Sequence, residues 1–165
     1  MVEKDRDVPP EQPGNYLPCV MAYLSIPADK KTLELTNSII WFEDDGILYS
    51  RFADKPFVQA TRKQMEEDLK KWREFVGHKK VLIITESHPN SESPAKEDRE
   101  YISQALTEVA AGMAILTPSA VSRMVVNLFF LFKPAAFPTK MFQSVSEARH
   151  WLLNIRKKGP GVPVI

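Results

Sequence analysis

The chain has little of what secreted or nucleic-acid-binding proteins usually contain. Its 165 residues include a single cysteine, Cys19, so no internal disulfide can form, and a reducing compartment is favoured over an extracellular one. Its 22 basic and 21 acidic residues are interspersed, which leaves no basic patch for nucleic acid. The composition therefore predicts a cytoplasmic protein with no nucleic-acid partner.

Long hydrophobic runs and an export signal are also missing from the sequence. Four acidic residues and three prolines lie among the first 13 positions, where a secretory signal needs basic residues followed by an apolar run. The longest apolar stretch, residues 120–132, is interrupted by Arg123 and Asn127. It is shorter than the roughly 20 residues of a membrane-spanning helix. We expect neither an export signal nor a membrane span.

Motifs for catalysis or cofactor binding are scarce as well. His78 and His150 lie among basic residues, and no Cys, His or Asp cluster has the spacing of metal ligands. The acidic run over residues 43–45 precedes Gly46, which is typical of a hairpin turn rather than a cation site. We therefore expect no metal, no cofactor and no enzymatic activity.

The hydrophobic pattern that is present predicts an α/β fold. An extended apolar run from Leu33 to Phe42 and an alternating stretch over residues 47–52 flank the turn, which predicts an N-terminal β-hairpin. Thr61 and Gln64 fit a capping box for a helix that Gly77 ends. Val, Ile and Leu are contiguous over residues 81–84, which is typical of a strand buried on both faces.

The remaining pattern completes the predicted order ββαβαβαβα, a mixed sheet with helices packed on it. A helix follows residues 93–94, strands cover residues 113–116 and 140–142, and Ser144 with Glu147 caps a last helix. Helices between strands favour parallel pairing. The predicted divisions are an N-terminal arm over 1–30, ordered at most in part, a domain over 31–158 and a flexible tail over 159–165.

Three segments carry a resemblance to a known family. They are Ala-Ile-Leu-Thr-Pro-Ser-Ala-Val-Ser-Arg-Met (114–124), Phe-Leu-Phe-Lys-Pro-Ala-Ala-Phe-Pro-Thr-Lys-Met-Phe (130–142) and Ser-Glu-Ala-Arg-His-Trp-Leu (146–152). Together with the element order, they resemble a bacterial subgroup of the STAS domains, the sulphate transporter and anti-sigma-factor antagonist family. The resemblance covers roughly residues 33–156 and implies a fold and a regulatory, protein-binding role rather than one activity.

In the bacterial antagonists of that family, a serine after the central strand is phosphorylated by a partner kinase. The resemblance makes Ser87 the candidate acceptor, although the chain lacks the Asp-Ser-Ser-Gly or Asp-Ser-Thr-Gly pattern there. A solvated loop rich in hydroxyl groups is the ordinary alternative. Ser87 and His88 are also the residues of a less favoured hydrolase hypothesis, which lacks a Gly-x-Ser-x-Gly motif.

A second candidate site lies at the predicted helix start after residue 116. Thr117 and Ser119 flank a proline at the first helical position, and Arg123 follows one turn later. Free N–H groups at such a helix start, beyond the end of a strand, can hold an anion. The alternative is that the capping side chain takes up these N–H groups and that no anion binds.

The apolar stretch over residues 120–132 carries the main functional hypothesis. Its helical pattern leaves more apolar surface than one sheet face can bury. Coverage by residues 17–26, a homodimer interface and a groove for an apolar or lipid-like ligand are the three options. The sequence thus predicts a binding module acting through a homodimer or another protein partner, with an apolar-ligand carrier as the alternative. The residues at this surface are Val126, Phe129, Phe130 and Phe132.

Overall fold

Apart from one additional N-terminal strand, the described part of the chain forms strands and helices in the predicted order, and the helix predicted after residue 116 lies outside that part. The computed structural model describes residues 24–86, 95–117 and 136–158. The strands in these ranges are β1 (Thr32–Glu34), β2 (Ser38–Phe42), β3 (Leu48–Phe52), β4 (Val81–Glu86), β5 (Ala110–Leu116) and β6 (Thr139–Phe142). The helices in the same ranges are α1 (Arg62–Phe75), α2 (Lys96–Val109) and α3 (Val145–Lys158).

The described strands form a single sheet in which neighbours in space are also neighbours in sequence, in the order β1-β2-β3-β4-β5-β6. β1, β2 and β3 pair antiparallel, whereas β3, β4, β5 and β6 pair parallel. α1 separates β3 from β4 and α2 separates β4 from β5, which is the usual connection between parallel strands. The predicted α/β class, with a mixed sheet that begins in a hairpin, is confirmed.

The N-terminal part of the sheet holds one strand more than the predicted hairpin. The run from Leu33 to Phe42 breaks at a turn, where the Leu35 N–H donates to the Ser38 carbonyl at 2.8 Å. The carboxylate of Asp68, on α1, accepts the Thr36 N–H at 3.0 and 3.2 Å. This contact with a distant helix stabilises a turn within an apolar run whose sequence alone predicts one strand.

The caps predicted for α1 are present. The Gln64 N–H donates to Thr61 Oγ1 at 3.3 Å, and the Thr61 N–H donates to Gln64 Oε1 at 2.9 Å. The helix ends at Phe75, after which Gly77 has a φ of 67°, a conformation that glycine adopts without steric cost. The capping box and the glycine stop are therefore confirmed.

Apolar side chains cover both faces of the sheet. Leu82 and Ile84 of β4 belong to the cluster under α3, whereas Ile83 faces α1 and α2, so β4 is buried on both sides as predicted. α3 approaches β5 closely, since a Cβ on Gly112 would lie 3.5 Å from Ile155 Cδ1. α1 and α2 therefore pack on one face and α3 on the other.

The segment before β1 contributes to the face under α3. Leu24 is only 4% exposed and belongs to the apolar cluster there, and its N–H donates to Glu86 Oε1 at 2.6 Å. The predicted tail over 159–165 lies outside the described residues. In the described part of the chain, no helix has both the length and the apolar character that a membrane crossing requires.

Candidate functional site

Most of the predicted site residues lie outside the ranges that the structure describes. Thr117 lies inside them: it is 6% exposed, and its N–H donates to the Phe142 carbonyl at 2.9 Å, which joins the end of β5 to β6. The Thr117 N–H is thus already used within the fold. The phosphate, anion and association hypotheses for the other residues stay predictions. These residues are Ser87, Ser119, Arg123, Val126, Phe129, Phe130 and Phe132.

A groove between the β2–β3 turn and α3 is the candidate site among the described residues. We call it the hairpin groove. Its volume is about 670 Å³. Residues 43–45 of the turn and Tyr49 of β3 line one side. The residues of α3 that line the other side are Val145, Ser146, Arg149, His150 and Leu153.

The turn that forms one wall follows directly from its sequence. The Gly46 N–H donates to the Glu43 carbonyl at 2.9 Å, and the Glu43 N–H donates to the Ile47 carbonyl at 3.1 Å. Gly46 has a φ of 73°, in the left-handed region that favours glycine at such a turn. The acidic residues before Gly46 are thereby held in a fixed arrangement.

Asp45 connects the turn to α3. Its Oδ1 accepts the Ile47 N–H at 3.0 Å, and its Oδ2 accepts the Arg149 Nε–H at 2.5 Å. The Arg156 side chain also donates to the Asp45 carbonyl at 2.7 Å. The hydrogen bond from Arg149 to the Asp45 carboxylate raises the pKa of Arg149. The two walls of the hairpin groove are therefore joined by one aspartate and two arginines.

Asp44 forms an ion pair with Lys30, which precedes β1. The hydrogen bond from the Lys30 ammonium holds the pKa of the Asp44 carboxyl below its usual value. The same contact raises the pKa of Lys30. The Asp44 side chain is exposed and that of Lys30 is partly buried, so water screens the pair and its contribution to stability is small. Its consequence for the groove is that the charge of Asp44 is already balanced by a neighbouring cation.

Glu43 differs from the two aspartates. Its Oε1 accepts the indole N–H of Trp41 at 2.8 Å, a neutral donor. Within the described ranges, no lysine or arginine forms an ion pair with Glu43, whereas Asp44 and Asp45 each have one. Glu43 nevertheless lies near both cations: after the larger effects of Asp44 on Lys30 and of Asp45 on Arg149, the charge of Glu43 also raises the pKa of each.

Tyr49 lies beneath the turn and is only 7% exposed. Its ring packs against Trp41, with ring centroids 5.9 Å apart. Its hydroxyl forms no hydrogen bond with any residue that the structure describes, although it lines the groove. Burial, followed by the negative charge of Asp45, raises the pKa of the Tyr49 phenol. The hydroxyl oxygen is not among the buried unpaired side-chain atoms of the described residues, so the tyrosine places its ring in the core and its polar end at the groove.

The groove presents recognition groups rather than an activated nucleophile. Ser146 and His150 are one helical turn apart and both line it. No hydrogen bond joins them in the described part of the chain, whereas a nucleophilic serine needs a base within hydrogen-bond reach. Across the same ranges, no three His, Cys, Asp or Glu side chains are grouped to hold a metal ion. The arrangement can bind charged and hydrogen-bonding groups.

The sequence predicts the turn at residues 43–46 but no site there. Asp45 and Arg149 are 104 positions apart, and no local pattern indicates that α3 packs across this turn. One signal was present: Val145, Arg149 and Leu153 are spaced four residues apart, beside the buried stripe of Ala148 and Leu152. A second row of apolar residues beside the buried row of an amphipathic helix indicates that the helix has a second contact surface.

Comparison with known proteins gives a family but no activity. No curated protein and no solved structure matches the chain. A family model described as a domain of unknown function, DUF7793, matches residues 40–156, which include the end of β2, the turn after it and most of α3, and thus both walls of the hairpin groove. This range is well over half of the chain. The chain therefore belongs to the DUF7793 family.

Proposed function

We propose that this protein is a non-catalytic binding and regulatory module that acts by associating with another protein, as its resemblance to STAS domains implies. The observation that carries the proposal is the hairpin groove. One wall is a turn held by internal hydrogen bonds, and the other is the helix α3. Such a groove offers charge and hydrogen bonds at fixed positions, which suits recognition.

The apolar stretch over residues 120–132 supports the same proposal from composition alone. Full burial of a phenylalanine side chain is worth roughly 1.5–3 kcal/mol, so Phe129, Phe130 and Phe132 would favour association strongly if a partner covered them. A second copy of the chain is one such partner. We also propose a cytoplasmic location, because a chain with a single cysteine, Cys19, can form no internal disulfide.

Phosphorylation of Ser87 is the proposed means of regulation. Ser87 follows Glu86, the last residue of β4, whose side chain is 8% exposed and accepts the Leu24 N–H. A phosphate at Ser87 adds about two negative charges one residue from that carboxylate. Like-charge repulsion there would weaken the attachment of the segment that holds Leu24.

Site-specific photo-cross-linking in cells tests association at the groove. His150 lines the groove and is exposed, so it is replaced by photoreactive benzoylphenylalanine. Lys70, exposed on α1 at the opposite face of the sheet, is replaced in the matched control. We expect a polypeptide adduct from position 150 and none from position 70. Mass spectrometry of the adduct distinguishes a second copy of this chain from another protein.

Native mass spectrometry of the purified protein identifies the contrary outcome. A monomer that carries a co-purified apolar molecule, together with the absence of any polypeptide adduct from position 150, would contradict protein association. That pair of results would support the carrier alternative instead. The variant Phe130→Glu gives an independent test by the same measurement, because it should dissociate a homodimer that associates through residues 120–132.

A further inference from the structure

Four exposed lysines lie at one edge of the sheet and form no ion pair with any residue that the structure describes. Lys79 and Lys80 come directly before β4, and Lys157 and Lys158 end α3. We call these four residues the basic edge. The two pairs are far apart in the chain, so the sequence alone does not reveal that they belong to one surface.

The basic edge forms because α3 ends where the parallel strands begin. β6 ends beside the end of β5, so α3 starts at that end of the strands and runs back across the sheet. Leu82 of β4 pairs with Gly112 of β5, and a Cβ on Gly112 would lie 3.2 Å from Leu82 Cδ2 and 3.5 Å from Ile155 Cδ1. Ile155 therefore lies beside the first residues of β4. Because an α-helix rises about 1.5 Å per residue, Lys158 lies about 4.5 Å farther along the axis, toward the edge at which Lys80 enters β4.

A hydrogen-bonded turn fixes the backbone before the first pair of lysines. The Gly77 N–H donates to the Glu74 carbonyl at 3.2 Å. The His78 N–H donates to the Arg73 carbonyl at 2.9 Å. Both Gly77 and His78 have left-handed φ values, 67° and 57°. The turn joins the end of α1 to the start of β4, so the backbone of residues 79–80 is held between two hydrogen-bonded elements while the lysine side chains are exposed.

The neighbouring carboxylates do not neutralise the basic edge. Residues 29–31 and 43–45 carry four carboxylates and two lysines, and the two arginines of α3 that bind the β2–β3 turn balance the remaining charge. Glu108, at the end of α2, is paired with Arg73. Within the described ranges, Glu74 in the last turn of α1 is the carboxylate left at this edge. Four lysines therefore stand against one carboxylate, and the basic edge attracts anions.

The sequence that follows Lys158 favours a lipid surface over a nucleic acid. Residues 159–165, which lie outside the described ranges, contain no charged side chain and include Val162, Val164 and Ile165. Binding to an anionic bilayer combines attraction to its headgroups with burial of apolar side chains at the boundary of the acyl chains. A nucleic acid has no apolar phase in which to bury them. Exposed aromatic side chains, on which unpaired bases stack, are missing from the described part of the chain.

We propose that the basic edge binds the anionic headgroups of a lipid bilayer, and that the apolar side chains of residues 162–165 are buried at the same surface. The lysines contact lipid phosphates as point charges, and the start of β4 and the end of α3 face the bilayer. The inference goes beyond the proposed function and does not depend on it. Cross-linking at position 150 tests protein association, whereas binding to vesicles tests the lipid surface.

Flotation of the full-length protein with lipid vesicles tests the proposal. The probe is a vesicle of phosphatidylcholine with about one-third phosphatidylglycerol, and the control vesicle is phosphatidylcholine alone. We expect the protein to float with the anionic vesicles and to remain largely unbound with the control. Raising the salt from about 0.1 M to about 0.5 M should release most of the bound protein, because salt screens the attraction. Equal recovery with both vesicles, or none with the anionic one, would overturn the proposal.

Two double variants locate the contact. Changing residues 79 and 80 to glutamine, or residues 157 and 158, should each weaken vesicle binding roughly tenfold to thirtyfold, because each pair supplies two charges close to the surface. All four positions are exposed, so the variants should fold. The matched control is Lys63→Gln with Lys96→Gln, which removes the same charge from exposed first turns of α1 and α2, after the ends of β3 and β4. A control loss as large as that of the basic edge would overturn the assignment.

Two further measurements distinguish a bilayer from another polyanion. Val164→Ser with Ile165→Ser should weaken binding to the anionic vesicles severalfold and leave its salt dependence unchanged, because the variant removes apolar burial and no charge. Unchanged binding would refute the role of residues 162–165. Fluorescence anisotropy with a short labelled DNA duplex provides the comparison. Tighter binding to the duplex than to the vesicles, weakened by the same lysine changes, would overturn the lipid assignment.

Discussion

Tyr49 is the residue whose chemistry depends most directly on the surrounding fold. Its ring is part of the apolar cluster under α3, whereas its hydroxyl faces a groove lined by carboxylates. Burial and the charge of Asp45 both disfavour the phenolate, so they raise the pKa above the ordinary value of 10.0. The same side chain therefore stabilises the core and reports on the electrostatics of the groove.

This leads to a prediction about alkaline titration. The difference in phenolate absorbance between the unmodified protein and Tyr49→Phe should have its midpoint above pH 10.0. Because the folded-state pKa is raised, the stability that neutral Tyr49 contributes is present below pH 10.0 and is lost as the pH rises through the folded-state pKa. A midpoint equal to that of a tyrosine model peptide would contradict the burial described above.

At the scale of single elements, α1 shows that two residues close in sequence define where a helix begins. The Thr61 side chain accepts the Gln64 N–H, and the Gln64 side chain accepts the Thr61 N–H. Thr61→Ala should lower the free energy of unfolding by about 1 kcal/mol, because it leaves the Gln64 N–H without its acceptor. Denaturant unfolding measures this difference.

Lys63→Ala is the matched control, since Lys63 is exposed in the same turn and takes no part in the cap. Its effect should stay within about 0.5 kcal/mol. Thr61→Ser should preserve most of the stability because serine also caps helices. A Thr61→Ala protein as stable as Lys63→Ala would show that the cap contributes nothing measurable.

The elements also show what a sequence reveals and what it does not. The turn at Gly46, the capping box at Thr61 and the doubly buried β4 were predictable because each depends on residues close together in the chain. The turn between β1 and β2 was not, because Asp68 of α1 holds the Thr36 N–H from 32 positions away. The hairpin groove has the same origin, since the contact of Asp45 with Arg149 exists only after α3 has packed.

At the scale of the whole molecule, β4 couples the two apolar clusters. Ile83 contributes to the cluster under α1 and α2, and its neighbours Leu82 and Ile84 contribute to the cluster under α3. A change in one cluster therefore displaces side chains on a strand that the other cluster shares. We expect the described sheet and its helices to unfold as one cooperative unit.

Leu152→Ala tests this coupling. Leu152 is fully buried, so the truncation should lower the free energy of unfolding by about 2–5 kcal/mol. Tryptophan fluorescence and circular dichroism should still report one coincident transition, since Trp41 and Trp72 lie in different clusters. Leu153→Ala, at a half-buried groove position, is the control with the smaller expected loss. Two separated transitions would show that the faces unfold independently.

The position of α3 also has a consequence for synthesis. Every described strand that α3 covers precedes it in the chain, so these strands emerge from the ribosome before α3 does. Until then, Trp41, Ile47 and Leu116 lack the helix that covers them in the folded protein. During that interval the nascent sheet carries an apolar face open to water. A ribosome-bound intermediate ending before residue 145 should be a chaperone substrate, and release should follow once α3 is outside the exit tunnel.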